Sequence, residues 1–162
     1  MGRLTVDLVA ERAGVGKPTI YRYWKNAQEL AMAAFLSEAE AAPDASPAAA
    51  LGDRLVAQIE RLIETFDTRR GRQITLTMAA ADGDSEIARA FRTRIILQYR
   101  EEGRAMLLAA QQAGEVRRPD DIEALLDLLY APVFYRLLVG HAPLTPALAR
   151  SVVDVVLAGI SR

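Results

Sequence analysis

The sequence contains no cysteine and only one histidine, His141. The absence of thiols excludes disulfides, thiolate metal sites and a cysteine nucleophile. The acidic stretch ADGDSE at 81–86 lacks the later glycine and the closing glutamate of a calcium loop, so we expect Asp84 or Ser85 to cap a helix there. His141 follows Gly140, where we expect it to cap a helix end. We therefore expect no metal and no cofactor.

Long apolar runs are also absent. None approaches the roughly 18 residues that a membrane helix needs, and the N-terminus lacks the pattern of a secretory signal. An enzyme hypothesis rests only on Glu101 or Glu102 as an acid–base carboxylate. From these absences we expect a cytoplasmic protein that does not bind membranes and is not an enzyme.

The chain carries almost no net charge, −1 at pH 7, so its surface as a whole offers no basic field for nucleic acid. The opening segment differs, because its cations outnumber its carboxylates. Over residues 1–28 they are Arg3, Arg12, Lys17, Arg22 and Lys25 against Asp7 and Glu11. A local anion-binding surface is therefore expected in the first 28 residues.

Apolar residues recur every three or four positions along most of the chain, which predicts an all-α fold. The expected helices lie near residues 6–13, 17–24, 27–40, 47–66, 70–81, 85–113, 120–140 and 145–160. The stretch APDASPAA at 42–49 predicts a linker, with Ser46 and Pro47 starting the next helix. The linker divides a module at 1–41 from a regulatory and dimerisation domain at 42–162. Pro132 is expected to kink its helix.

The stretch AGVGKPTIYRYW at 13–24 predicts the second half of a helix-turn-helix. Thr5 caps a first short helix, Gly14 supplies a left-handed turn, and Pro18 falls in the first turn of a second helix. Facing inward, we expect Val9, Val15, Ile20 and Trp24. Facing outward, we expect Lys17, Thr19, Tyr21 and Tyr23, which suit contacts with phosphates and base edges. The alternative is that the two tyrosines pack against the next helix.

The segment LTVDLVAERAGVGKPTIYRYWKNAQEL at 4–30 resembles the DNA-binding motif of the TetR family of bacterial regulators. The resemblance implies that Thr5 and Tyr21 touch phosphates, that Lys17, Pro18 and Thr19 approach bases or backbone, and that Tyr23 lies close to the groove. The sequence departs from the family at Gly16, Tyr23 and Ala27, where serine, histidine and a phosphate-binding lysine are common. Lys25 is expected to replace that last charge.

Family members also carry a first helix before this motif, whereas only Met1 to Leu4 precede Thr5 here. We expect the apolar side formed by Val9, Ala13 and Ile20 to be left uncovered and the module to fray. The alternative function is therefore a dimeric helical protein that binds a small molecule without competent DNA binding.

The residues that follow the motif are more than a DNA-binding module needs. Residues 122–160 resemble, more weakly, the C-terminal domain of one branch of TetR-like regulators. Two very apolar helices there predict a two-fold dimer through Leu126, Leu129, Leu137, Leu148, Val152 and Val156. For an unknown small-molecule effector we expect a pocket among Phe66, Met78, Phe91, Tyr99, Met106, Tyr130 and Phe134, with Arg94 and Arg100 as polar handles. The expected function is a homodimeric, ligand-responsive repressor that binds a palindromic operator in double-stranded DNA and is released by the small molecule.

Overall fold

The computed structural model describes residues 5–39 and 49–161, and every regular element within those ranges is helical. The all-α prediction is confirmed. The chain divides into two compact units, Met1–Ala41 and Ala42–Arg162. Apart from Ala49, the predicted linker and its Ser46–Pro47 cap lie outside the described residues.

The first unit contains α1 (Val6–Ala13), α2 (Lys17–Tyr21) and α3 (Ala27–Ala39). Thr5 caps α1, because its Oγ1 accepts a hydrogen bond from the Leu8 N–H at 3.2 Å. Gly14, at φ 65°, ends α1 in the left-handed conformation that glycine adopts without strain. These three helices enclose a small core of Val6, Ala10 and Ile20, with Val9, Trp24, Ala27 and Leu30 packed around it.

The second helix of the motif is shorter than expected. It ends at Tyr21 rather than Trp24, since the N–H groups of Tyr23 and Trp24 both donate to the carbonyl of Ile20 and close a turn. The Asn26 side chain then accepts a hydrogen bond from the Glu29 N–H at 2.9 Å, which caps the start of α3.

The second unit contains α4 (Leu51–Phe66), α5 (Arg69–Ala80), α6 (Glu86–Phe91), a π-helical segment (Arg92–Leu97), α7 (Gln98–Gln112), α8 (Ile122–Val139) and α9 (Pro146–Ile160). Helix α4 is central, because it packs against α5, α7, α8 and α9. The largest fully buried apolar side chains form the core of the second unit: Leu55, Ile59, Leu62, Phe66, Ile95, Leu126, Leu129, Val133 and Val153.

Helices α6 and α7 form one helical run from 86 to 112, close to the prediction, and Ser85 caps it as expected. The π-helical segment inside the run was not expected. A π-helical turn inserts extra backbone into an α-helix, and such insertions are frequent at functional sites.

Helix α8 begins at Ile122, two residues later than expected. The Asp121 carboxylate caps it by accepting hydrogen bonds from the N–H groups of Glu123 and Ala124. The helix continues through Pro132 to Val139 and ends at Gly140, at φ 68°. Gly140 caps the helix end, and the exposed His141 ring lies 5.1 Å from that of Tyr135. In the ranges described, no helix is long and apolar enough to cross a membrane.

Candidate functional site

The first unit presents the predicted DNA-binding side chains on its outside. All of them are exposed: Thr5, Lys17, Pro18, Thr19, Tyr21, Tyr23 and Lys25. Tyr21 and Tyr23 are 53% and 63% exposed, which disfavours the alternative that they serve to pack α2 against the next helix. Their contacts with DNA remain a prediction.

The inward face of the motif differs from the prediction at one position. Val15 is 40% exposed, because it lies in the turn between α1 and α2 rather than on a helix face. Ile20 is buried against Val6 and Ala10, so the expectation of an uncovered apolar side is wrong for this residue. Val9 is half-buried and Ala13 is exposed.

Lys17 is held by an ion pair across the surface of the motif. Its Nζ lies 2.9 Å from Oδ1 of Asp7 on α1, and both side chains are largely exposed. The hydrogen bond and the charge of Asp7 raise the pKa of Lys17, so the ammonium group is fully charged at neutral pH. Exposed ion pairs are weak, so Lys17 can exchange Asp7 for another anionic partner.

Arg22 belongs to the same surface, although the sequence predicted for it only a contribution to the positive charge of the opening segment. Its guanidinium donates a hydrogen bond to the Tyr23 hydroxyl at 3.0 Å, and its Cζ lies 4.8 Å from the centre of the Tyr23 ring. The Tyr23 and Trp24 rings are in turn 5.6 Å apart. The signal was the alternation of aromatic and cationic residues in YRYW, which favours such stacking.

The second unit contains a cavity of about 150 Å³ between α4, the π-helical segment, α7 and α8. Its lining residues are Leu62, Ile95, Ile96, Tyr99, Arg100, Asp127, Tyr130, Ala131 and Phe134. Most of its apolar wall was not predicted from the sequence. The signal was helical spacing, because Ile95 and Ile96 precede Tyr99 by four and three positions, and Ala131 precedes Phe134 by three.

Tyr99, Tyr130 and Phe134, three of the predicted pocket residues, line this cavity. Phe66 and Phe91 lie in the core behind it. The centre of the Phe66 ring is 5.4 Å from that of Phe134 and 6.0 Å from that of Phe91. Met78 and Met106 are outside the lining, as is Arg94, whereas Arg100 is part of it.

Buried hydrogen bonds fix the tyrosine wall of the cavity. The Tyr130 hydroxyl lies 2.7 Å from Oε1 of Gln58 and 2.8 Å from the carbonyl oxygen of Tyr99. The Gln58 amide donates to the same carbonyl and to the Glu102 carboxylate, both at 3.0 Å. Burial raises the pKa of Tyr130, so its phenol stays neutral. No sequence pattern indicates that Gln58 belongs to this network.

A cluster of ion pairs borders the cavity where α7 meets α8. Arg100 donates to Oε2 of Glu123 at 2.8 Å and also pairs with Asp127, while Arg104 pairs with Glu123 and, at 3.2 Å, with Glu101. Hydrogen bonds from Arg104 and Arg100 lower the pKa of Glu123 to about 2. Both arginines are thus already neutralised within the chain.

The predicted dimer residues lie mostly inside the second unit. Leu126, Leu129, Leu137, Leu148 and Val156 are buried in its core and Val152 is half-buried, so the buried five cannot form a contact surface as placed. The exposed apolar residues of the same two helices are Leu128, Tyr135, Leu138 and Val139 on α8 and Val155 on α9.

The candidate catalytic carboxylates have structural partners. Glu102 accepts hydrogen bonds from Gln58 and Arg61, and Glu101 pairs with Arg104 at the surface. Within the described parts of the chain, no group of three histidine, aspartate or glutamate side chains could hold a metal ion.

Comparison with known proteins identifies both units. A family model of bacterial regulatory proteins of the TetR family matches residues 1–34, and one of the tetracyclin repressor-like C-terminal domain matches residues 46–156. The chain is 34% identical over 151 residues to YdeS of Bacillus subtilis (strain 168), an uncharacterized HTH-type transcriptional regulator. That similarity covers 93% of this chain and 76% of YdeS.

Solved structures share the fold. The TetR family transcription regulator SCO0332 aligns with a TM-score of 0.79 and 27% identity, over 99% of this chain and 89% of its own. The transcriptional regulator FadR from Bacillus subtilis, solved in complex with stearoyl-CoA, aligns with a TM-score of 0.66 and 18% identity, over 96% of this chain and 88% of its own. With a helix-turn-helix in the first unit and a matching helical second unit, the chain belongs to the TetR family of bacterial transcriptional regulators.

Proposed function

We propose that this regulator is a repressor that binds a palindromic DNA operator as a homodimer and is released when a small molecule occupies the cavity of the second unit. The observation that carries the proposal is the exposed surface around α2, because DNA recognition by a helix-turn-helix requires it. The cavity supports the ligand, and the exposed apolar residues of α8 and α9 support the dimer.

The α2 surface suits the DNA backbone chemically. Its predicted contact residues offer hydroxyl groups, phenols and ammonium groups and include no carboxylate, so none of them repels phosphate. Arg22 adds a cation held against Tyr23. Sequence readout is expected from the side chains that reach the major groove, while the cations supply most of the salt-dependent affinity.

The homodimer is supported by apolar side chains that α8 and α9 leave uncovered. Leu128 is 61% exposed and Val155 75% exposed, although both helices already bury their opposite sides within the unit. Apolar residues grouped on a surface mark interaction sites more often than isolated ones do. A two-fold pair of these helices would bury them and match a palindrome with half-sites about 34 to 36 Å apart.

Release by a ligand requires that the ligand bind one state of the protein more tightly than the other. The cavity is walled by three α-helices and a π-helical segment, so a ligand inside it contacts several elements together. A ligand is supported by FadR of Bacillus subtilis, a protein of the same fold that was solved in complex with stearoyl-CoA. At about 150 Å³ the cavity here has room for a group about the size of one ring.

The proposed DNA binding is tested by selecting bound sequences from a randomised duplex library and then measuring affinity by fluorescence anisotropy at two salt concentrations. We expect a palindromic consensus bound by two chains, with affinity that falls steeply as salt rises. A selection that yields no consensus, or affinity equal to that for a scrambled duplex, would contradict the proposal.

A further inference from the structure

Building on the proposed effector role of the cavity, we propose that its ligand is a small, uncharged, largely apolar ring compound. An organic anion or cation of the same size is expected to bind less well. The lining, the hydrogen bonds behind it and the charges at its rim all favour an uncharged ligand.

The walls of the cavity are mainly hydrocarbon. Leu62, Ile95, Ile96, Ala131 and Phe134 contribute aliphatic groups and one aromatic ring, and two tyrosine side chains add two further rings. Arg100 and the exposed Asp127 complete the lining. Burying apolar area stabilises a complex by roughly 25 cal/mol per Å². A pocket of this volume has room for a benzene-sized molecule.

The polar groups of the lining already have partners. The single proton of the Tyr130 hydroxyl is shared between two acceptors, Oε1 of Gln58 and the Tyr99 carbonyl oxygen, and Arg100 pairs with Glu123 and Asp127. Among the described residues, no buried side-chain nitrogen or oxygen lacks a hydrogen-bond partner. A ligand group that needs the Tyr130 hydroxyl proton or the Arg100 guanidinium would have to displace one of these partners, which removes most of its gain.

The charges at the rim are paired with one another. Arg100 pairs with Glu123 and Asp127, and Arg104 pairs with Glu123 and with Glu101, whose side chain is largely exposed. An anion would compete with two carboxylates for Arg100, and a cation would have to separate Asp127 from it. Either ion would also lose its hydration, whereas an uncharged ring loses little.

Three probes of one ring size test this proposal: toluene, benzoate and benzylammonium. Each is titrated into the full-length chain without DNA, and binding is followed by calorimetry and by shifts of the aromatic ring signals in NMR spectra. We expect toluene to bind at least about tenfold more tightly than either ion, with shifts concentrated on the Phe134 and Tyr130 rings. Tighter binding of benzoate or benzylammonium, or no binding by any probe, overturns the proposal.

Two matched variants locate the binding site. Ala131 and Ala124 are both exposed alanines of α8, but only Ala131 lines the cavity. We expect Ala131→Phe to weaken toluene binding by at least about tenfold and Ala124→Phe to leave it unchanged. Equal effects would overturn the assignment to this cavity. The ring-signal shifts of the unmodified chain decide the same point if Ala131→Phe does not fold.

Because the titration contains no DNA, its result is separable from that of the operator selection. Toluene binding without operator recognition would leave the ligand class standing and overturn the regulatory function. Operator recognition together with preferential binding of an ion would leave the regulatory function standing and overturn the ligand class.

Discussion

At the scale of single residues, Lys17 combines an exposed position on α2 with an ion pair to Asp7 that DNA must replace. We expect Lys17→Ala to weaken operator binding and to reduce the dependence of log affinity on log salt by about 1, the loss of one phosphate contact. Asp7→Asn should strengthen binding about twofold, because it releases Lys17 to DNA.

Glu11→Gln is the matched control for Asp7→Asn. Glu11 is an exposed carboxylate on the same helix, and its removal changes the net charge equally. Anisotropy titrations over a range of salt concentrations measure all three variants. The same gain in affinity for Glu11→Gln and Asp7→Asn would show that net charge, not the Lys17 pair, is responsible.

A second prediction at the residue scale concerns Gly103 on α7. A Cβ at this position would overlap the Tyr130 hydroxyl and lie 3.3 Å from Cδ2 of Leu126. We expect Gly103→Ala to lower the free energy of unfolding by about 1–3 kcal/mol, because it overpacks the site and displaces a buried hydrogen bond.

Gly159→Ala on α9 provides the comparison. Apart from its own helix, no described atom lies within 4 Å of an added Cβ there, and alanine favours the helix by about 0.5–1 kcal/mol. Urea unfolding measures both variants. The interpretation of Gly103 as a close-contact position is wrong if the two substitutions change stability in the same direction.

At the scale of elements, Glu123 joins α8 to α7 through Arg100 and Arg104. Its pKa falls from 4.5 to about 2 in the folded chain, chiefly because Arg104 donates a hydrogen bond to it. A lowered carboxyl pKa stabilises the folded state above pH 4.5, and that stabilisation is lost as the pH falls toward about 2. Glu123→Gln should therefore show a shallower loss of stability over this interval.

The measurement is the free energy of unfolding between pH 6 and the acid limit of folding. Glu115→Gln removes an exposed carboxylate outside the Glu123 cluster and should retain the steep acid dependence of the unmodified chain. A Glu123→Gln variant as acid-sensitive as the unmodified chain would mean that this ion pair does not link the two helices.

Several helix ends could be predicted from the sequence, whereas the π-helical segment could not. Thr5, Gly14 and Ser85 were identified correctly as helix ends or turns, because capping depends on local chemistry. The end of α8 is capped by Gly140 and not, as expected, by His141. The π-helical segment at Arg92–Leu97 could not be predicted, since its residues have the same apolar spacing as an ordinary helix.

At the scale of the whole molecule, local sequence patterns also could not show which apolar residues form the dimer surface. An apolar helix with hydrophobic residues around its circumference indicates burial on several sides, but the pattern does not separate its own core from a partner. Leu126 and Leu129 are in the core, while Leu128 between them is exposed. Three of the predicted pocket residues do line the cavity, because aromatic side chains on neighbouring helices tend to meet in one interior.

The dimer surface gives the prediction at this scale. We expect Leu128→Glu to shift the chain from dimer to monomer in sedimentation velocity, because a buried unpaired charge opposes association. Leu108→Glu on α7 introduces the same charge at another exposed leucine and should leave the dimer intact. A dimer that survives Leu128→Glu would exclude this face of α8 as the interface.

The most direct test of the regulatory account is operator affinity, measured by anisotropy, with and without whichever probe occupies the cavity at saturation. Coupling between two sites in one protein typically changes affinity about 5- to 150-fold. We predict a loss of operator affinity in that range for the unmodified chain and none for Ala131→Phe. Unchanged operator affinity with the cavity occupied would contradict the account.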